Sequence, residues 1–376
     1  MSIDVLVNAG PWLPVPPEGY GGIETVVATL IPPLRELGAR VTLATVGEPT
    51  VEVDDVITPL DEPKFASIAR PYNQVSGIAH AHMQGVVAAI RERRFDIVHD
   101  HLEVVGIAVL AAMGEACPPV LQTLHWDMRK HADFYSRFDG AGGVGFAAVS
   151  QSQLDRAPDA IQRQAVGVVP LAVPAPEPMD VPRGDHALVL ARITRDKGQD
   201  LAARACVAAG VPLILAGPVA GIGDVDELHE RIDGGDADLL AHPDVSFYVE
   251  SVRPLLDGDL VRWVGGVAGE RKERLLRGAR ALMTPNRWAE PGATGVLEAL
   301  TRGIPVIGTP LGVLPSLVEH DRTGFLVDDE QAMAQALAEV DRIDPADCIA
   351  AAAQWTPQRM AEQYLELYDE MIRRTR

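Results

Sequence analysis

Glu290-Pro291-Gly292-Ala293-Thr294-Gly295-Val296-Leu297-Glu298 sets two carboxylates on either side of a turn, with seven residues between them. Pro291 and Gly292 make the turn, and the apolar pattern of Val296, Leu297 and Leu300 predicts a helix starting near Thr294. Glu290 then sits on a loop and Glu298 in the first turns of the helix. Between them, backbone N–H groups without helical acceptors face outward at a positive dipole end. Downstream, Gly303-Ile304-Pro305-Val306-Ile307-Gly308-Thr309 reads as a short buried strand. Carboxylates accept hydrogen bonds from vicinal hydroxyls, and free N–H groups hold oxyanions. A nucleotide sugar offers both groups; an ordinary loop–helix–strand unit has the same spacing.

Outward from this segment, strand-like runs alternate with helical patterns, which predicts parallel α/β units. Val5–Asn8, Val41–Thr45, Ile97–His99, Val120–Leu124 and Ala147–Ser150 are the strands expected in the first half. Ala187–Ala191, Leu213–Ala216, Val261–Val264, Ala281–Met283, Ile304–Ile307 and Gly324–Val327 form the second series. Between the series, residues 170–182 carry five prolines, a stiff linker. Two domains on such a linker imply a cleft, with ligands beyond the carboxyl ends of the strands. Thr356 and Pro357 read as N-cap and first residue of a last helix, whose Met360, Tyr364, Leu367, Tyr368 and Met371 share one face.

The chain of 376 residues is long for one core, and 47% hydrophobic residues allow ample burial. A net charge of −20 argues against nucleic acid and against docking on anionic lipid. A phosphate ligand stays possible, because screening beyond about 8 Å lets a few local cations prevail. Cys117, Cys206 and Cys348 show no metal or disulfide spacing. Met1–Asn8 has an acid where a signal peptide needs cations and reads as a first strand. The apolar stretch from Val104 to Gly114 is too short for a membrane span, so a soluble cytoplasmic protein is expected.

Arg192 and Lys197, in Ala191-Arg192-Ile193-Thr194-Arg195-Asp196-Lys197-Gly198, follow a strand and can converge on one anion; a solvated turn is the alternative. In Gly19-Tyr20-Gly21-Gly22-Ile23-Glu24, small residues before a helix let backbone approach a phosphate, although Glu24 stands where a dinucleotide fingerprint has its third glycine. Pro32 and Pro33 are expected to kink or break that helix. His99-Asp100-His101 and His125-Trp126-Asp127 each follow a strand, with His125 better placed to face the cleft. Neither run supplies a full metal-ligand set. Asp257-Gly258-Asp259 reads as a turn rather than a metal-binding DxD.

The order of these motifs resembles the retaining GT-B glycosyltransferases of glycosyltransferase family 4 over nearly the whole chain. Asp96-Ile97-Val98-His99, Leu213-Ile214-Leu215-Ala216-Gly217-Pro218 and Val264-Gly265-Gly266-Val267 support it, as do Leu314-Pro315-Ser316-Leu317-Val318-Glu319 and Thr323-Gly324-Phe325-Leu326-Val327. The resemblance implies a GT-B fold: an acceptor-binding Rossmann-like domain (1–172) and a donor-binding one (173–355) face a central cleft. A C-terminal helix (356–376) returns to the first domain. It implies that Arg192 and Lys197 hold the donor diphosphate, Glu298 the ribose and Glu290 the donor sugar. Backbone N–H groups of Gly292, Ala293 and Thr294 hold sugar or phosphate oxygens and Val267 belongs to the donor site, with Gly21 and Gly22 near the phosphate and His125 near the reacting carbon.

The implied reaction is metal-independent hexosyl transfer from a nucleotide-diphosphate sugar, UDP- or GDP-linked. The acceptor is a small-molecule, saccharide or lipid-linked hydroxyl, and no cofactor is required. The chain departs from the family at Gly292-Ala293 (usually Phe-Gly), His125-Trp126 (His-Gly) and Leu171-Ala172 (Asn-Gly). Trp126 either shapes an acceptor pocket or packs in the core. A sugar phosphorylase or a nucleotide-sugar epimerase of the same architecture, and a two-domain solute-binding protein, are the competing readings.

Overall fold

The computed structural model describes residues 3–19, 21–67 and 72–375, with residues 72–74 described by backbone alone. Two compact units result: Met1–Pro174 with Trp355–Arg376, and Ala175–Gln354. Each is built on one all-parallel sheet. The first sheet holds β1 (Asp4–Asn8), β2 (Arg40–Val46), β3 (Asp55–Leu60), β4 (Ile97–Asp100), β5 (Val120–Leu124), β6 (Val144–Ala148) and β7 (Ala165–Val168), in the order β3-β2-β1-β4-β5-β6-β7.

The second sheet holds β8 (Ala187–Leu190), β9 (Leu213–Ala216), β10 (Val261–Trp263), β11 (Ala281–Thr284), β12 (Val306–Gly308) and β13 (Gly324–Leu326), in the order β10-β9-β8-β11-β12-β13. Helices cover both faces of a parallel sheet, so inner strands are apolar throughout rather than alternating. β5 and β9 are buried at every position, and such runs are legible without periodicity.

Edge strands are less legible. β3 carries an acid, a proline and half-exposed positions, and β7 is the partly exposed Ala-Val-Gly-Val. These are features by which proteins blunt sheet edges, and they hide both strands from a hydrophobicity reading. β6 starts earlier than the expected Ala147–Ser150. Ser150 instead caps the next helix, its Oγ accepting from the Gln153 N–H at 3.2 Å. The Gly22–Glu36 helix is not ended by Pro32 and Pro33, which both lie inside it. Burial of Val26, Val27, Leu30, Ile31 and Leu34 outweighs the backbone bonds the prolines cannot make. Asp257-Gly258-Asp259 is a turn closed by N–H groups of Asp259 and Val261 on the Asp257 carboxylate.

The last helix, Pro357–Thr375, belongs to the first unit. Thr356 Oγ1 accepts from the Arg359 N–H at 3.2 Å, as the capping pattern predicts. Met360, Ala361, Tyr364, Tyr368 and Met371 join the core made by the Gly22–Glu36 helix and the inner strands. Gly145 in β6 and Gly167 in β7 leave the room that Met371 and Leu367 occupy. The tyrosine hydroxyls are satisfied inside: Tyr368 Oη lies 2.7 Å from His99 Nδ1, and Tyr364 Oη 2.9 Å from Thr123 Oγ1. Tyr364→Ala is expected to cost about 3–5 kcal/mol and Tyr368→Phe about 1 kcal/mol in urea unfolding. Equal costs for the two would show that the polar contacts, not the buried rings, seat the helix.

Candidate functional site

In each sheet the connection reverses direction between two neighbouring strands: β1 and β4 in the first, β8 and β11 in the second. Chains leave the sheet to opposite sides there, opening a crevice at the carboxyl ends. In the second unit, Arg192 and Lys197 follow β8, while Asn286, Trp288 and Glu290 follow β11. In the first, Gly21 and Gly22 follow β1 through a loop, and His99, Asp100 and His101 close β4. His125 follows β5 directly.

Two glycines make the second-unit crevice possible. Gly198 sits at φ 67°, and a side chain there would collide with the Pro285 carbonyl. It ends the turn bearing Lys197 and starts the Gln199–Ala209 helix. Gly312, at φ 66°, lies against the backbone of Glu290, and the Val313 N–H donates to the Glu290 carbonyl at 2.8 Å. The Glu290 loop is thereby pinned from below.

Lys197 Nζ donates to Glu290 Oε2 and stands 5.5 Å from the centre of the Trp288 ring. Asn286 Nδ2 approaches the same carboxylate oxygen at 3.5 Å. Arg192 is exposed at the end of β8, its carbonyl held by Gln199 Nε2 at 2.7 Å. Its charge partly offsets the burial that raises the Asp244 carboxyl above its ordinary range.

The Thr294–Leu300 helix begins where expected. Ala293 precedes it in the left-handed region (φ 50°, ψ 54°), a conformation that favours glycine. It occupies the position where the family motif carries its glycine. The first-turn N–H of Thr294 has no helical acceptor, and Gly295 packs toward the Leu190 carbonyl at the end of β8. Val267 lies in the loop after β10, a half-buried residue beside Gly266, whose N–H donates to the Gly223 carbonyl at 2.7 Å. Glu298, one turn into its helix, receives Lys272 Nζ on Oε1 at 2.6 Å. Lys272 and Trp288 were not legible as site residues, because their partners come from other elements. The buried Trp288 Nε1 meets no acceptor among the described residues.

In the first unit, Gly21 is needed by its own surroundings, since an added Cβ would lie 2.6 Å from Pro17 Cγ. A Cβ added at Gly22 would meet nothing within 4 Å, and Tyr20 of the motif lies outside the described residues. Glu24 is 5% exposed, and burial pushes its carboxyl up to about 7. His125 is half-buried, and the protein packed around it holds its imidazole down at about 3, hence neutral. His99 and His101 are buried and likewise lowered.

Behind them Asp100 accepts from Asn8 Nδ2 at 2.6 Å and Gln122 Nε2 at 2.8 Å; burial raises it to about 7. Trp126 is a core residue, 8% exposed, its Nε1 donating to Tyr135 Oη at 2.7 Å. Among the described residues, no group of three His, Cys, Asp or Glu side chains is arranged to hold a metal ion.

Glu24 has a pH consequence. Its carboxyl holds a proton more tightly in the folded chain than in the unfolded one, so ionisation destabilises the fold as pH rises from about 4.5 through about 7. Glu24→Gln is expected to match wild type below pH 4.5 and to exceed it at pH 8 by up to about 3 kcal/mol. Urea unfolding across that range checks this; a difference independent of pH contradicts it.

Residues 20–174 match the family model described as Glycosyltransferase Family 4, and residues 183–355 match Glycosyl transferases group 1. Among solved structures, AviGT4, a glycosyltransferase involved in avilamycin A biosynthesis, is 24% identical over 99% of this chain and 98% of its own, with a TM-score of 0.63. Anabaena Alr3699/HepE in complex with UDP and glucose is 18% identical over 98% and 100%, with a TM-score of 0.65. Sucrose-phosphate synthase from Thermosynechococcus elongatus is 17% identical over 99% of both chains, with a TM-score of 0.68. No curated protein matches the chain.

Proposed function

This chain belongs to the GT-B glycosyltransferases of the family 4 type, and from that premise we propose retaining, metal-independent transfer of a hexosyl group from a UDP- or GDP-sugar to a hydroxyl acceptor. The observation that carries the reading is the pairing of two separate carboxylates with two separate lysines in the second unit: Glu290 with Lys197, and Glu298 with Lys272. Each carboxylate is three-quarters or more covered, and among the described residues no hydrogen bond joins the second oxygen of either. The complex of Anabaena Alr3699/HepE with UDP and glucose supports a nucleotide-sugar donor.

In this reading the second unit is the donor domain. Glu298 accepts from the ribose hydroxyls, with Lys272 orienting it. Glu290 accepts from the sugar hydroxyls, and donor binding draws Lys197 from Glu290 toward the diphosphate. Arg192 adds a second cation, and the N–H groups of Gly292, Ala293 and Thr294 meet sugar or phosphate oxygens. Val267 borders the nucleoside. Gly21 and Gly22 are assigned to the phosphate and His125 to the sugar, with the first unit supplying the acceptor.

Chemistry follows from charge. As the glycosidic bond breaks, the anomeric carbon becomes oxocarbenium-like and the leaving oxygen gains negative charge; Lys197 and Arg192 stabilise that oxygen. The acceptor hydroxyl attacks on the face the diphosphate leaves, and its proton passes to the departing phosphate. Configuration is retained and no separate base is needed.

Glu298→Ala is expected to weaken nucleoside diphosphate and nucleotide sugar binding alike. Glu290→Ala leaves nucleoside diphosphate binding nearly intact and lowers turnover. Calorimetry on both variants decides this, and equal loss of diphosphate affinity refutes the division of labour. Lys197→Ala and Arg192→Ala should each cost about 2–5 kcal/mol in kcat/KM, whereas exposed Arg195→Ala should cost little.

Donor affinity is expected to survive EDTA, and a large loss overturns the metal-free reading. Thermal shift with UDP-, GDP- and ADP-sugars selects the donor. Release of nucleoside diphosphate, with no need for inorganic phosphate, separates transfer from phosphorolysis.

A further inference from the structure

His101 has no role in the proposal above, yet its two ring nitrogens stand in unequal surroundings. Nδ1 lies 2.8 Å from Nε2 of His125, edge to edge, with ring centroids 5.1 Å apart and the ring planes 24° apart. Nε2 is buried and meets no hydrogen-bonding atom among the described residues. His101 is itself 1% exposed. The His101 ring also lies against His99, with centroids 4.1 Å apart and the planes tilted by 42°. His99 is fixed in turn by Tyr368 of the last helix and by Thr123.

A nitrogen–nitrogen contact of this length needs one proton between the rings. Burial keeps both rings neutral, so each carries a single proton. Two arrangements satisfy this. If His125 donates from Nε2, the His101 proton must sit on Nε2, a buried N–H with no acceptor. If His101 donates from Nδ1, its Nε2 is a bare lone pair. Stranding a buried N–H incurs the full desolvation cost of a donor and is rare in folded proteins. Free histidine prefers the Nε2–H form, but that preference is small beside this cost.

We infer that His101 is a positioning residue that donates from Nδ1 to His125 Nε2 and so fixes His125 as the Nδ1–H tautomer. His125 then presents a hydrogen-bond donor at the carboxyl end of β5. No hydrogen bond joins its Nδ1 to the described residues, and that atom is left to a ligand oxygen. With Nε2 occupied by His101, His125 does not serve as the base that removes the acceptor proton. The ligand part rests on the glycosyl-transfer reading, whereas the tautomer does not.

The test is a long-range proton–nitrogen correlation spectrum of the intact, 15N-histidine-labelled protein at pH 7, assigned by the His101 variants and by His125→Gln. His125 is expected to carry its proton on Nδ1 with a bare Nε2, and His101 likewise. His101→Asn offers an amide donor near the place of Nδ1 and should keep His125 in that form. His101→Leu should release it to Nε2–H and lower kcat at least tenfold with KM for the donor nearly unchanged. Protonated Nε2 on wild-type His125 overturns the inference, and this spectrum decides it even if a variant fails to fold. Adding UDP-sugar should move the His125 Nδ1 signal; no binding of any nucleotide sugar would count against the functional reading and leave the tautomer standing.

Discussion

All strands of both sheets are parallel, so within each sheet every carboxyl end emerges along one edge. The site depends on that constraint. Parallel pairing forces long crossovers, and crossovers bring loops distant in sequence to the same edge. Lys197 and Glu290 are separated by 93 residues, yet they pair because β8 and β11 are neighbours at the reversal of strand order. His101 and His125 meet for the same reason, at the ends of the adjacent strands β4 and β5.

Charge is arranged locally against the overall balance. The chain carries −20, but Glu290 and Glu298 of the second unit are each matched by a lysine. Such pairs orient the carboxylates. The first unit works differently. There burial lowers His99, His101 and His125 and raises the carboxyls of Glu24 and Asp100 to about 7.

The last helix ties these features together in the first unit. Its tyrosines are core residues by volume and hydrogen-bond partners by chemistry, reaching His99 and Thr123 across 269 and 241 residues of chain. The segment after Trp355 is thus part of the support behind the histidines. Ala293 is a smaller instance of the same economy. The backbone there takes the left-handed turn although the residue is alanine, a conformation that only the surrounding structure can hold.

Inner strands, the Thr294 helix start, the Thr356 cap and the apolar stripe of the last helix were legible in the sequence. Each rests on local rules: apolar runs for buried strands, capping chemistry and 3.6-residue periodicity. The edge strands β3 and β7, and the continuity of the Gly22–Glu36 helix through two prolines, were not, because packing overrode local preference there. The residues of the candidate site were legible as types and order. Their partners were not: Lys272 on Glu298, Trp288 beside Lys197 and His101 on His125 all come from separate elements. Sequence alone determined the doubly wound architecture and which residues stand at strand ends, because both follow from short-range patterns. Which charges pair and which ring nitrogens meet came from the folded chain, because those contacts join side chains that the sheet order brings within hydrogen-bonding distance.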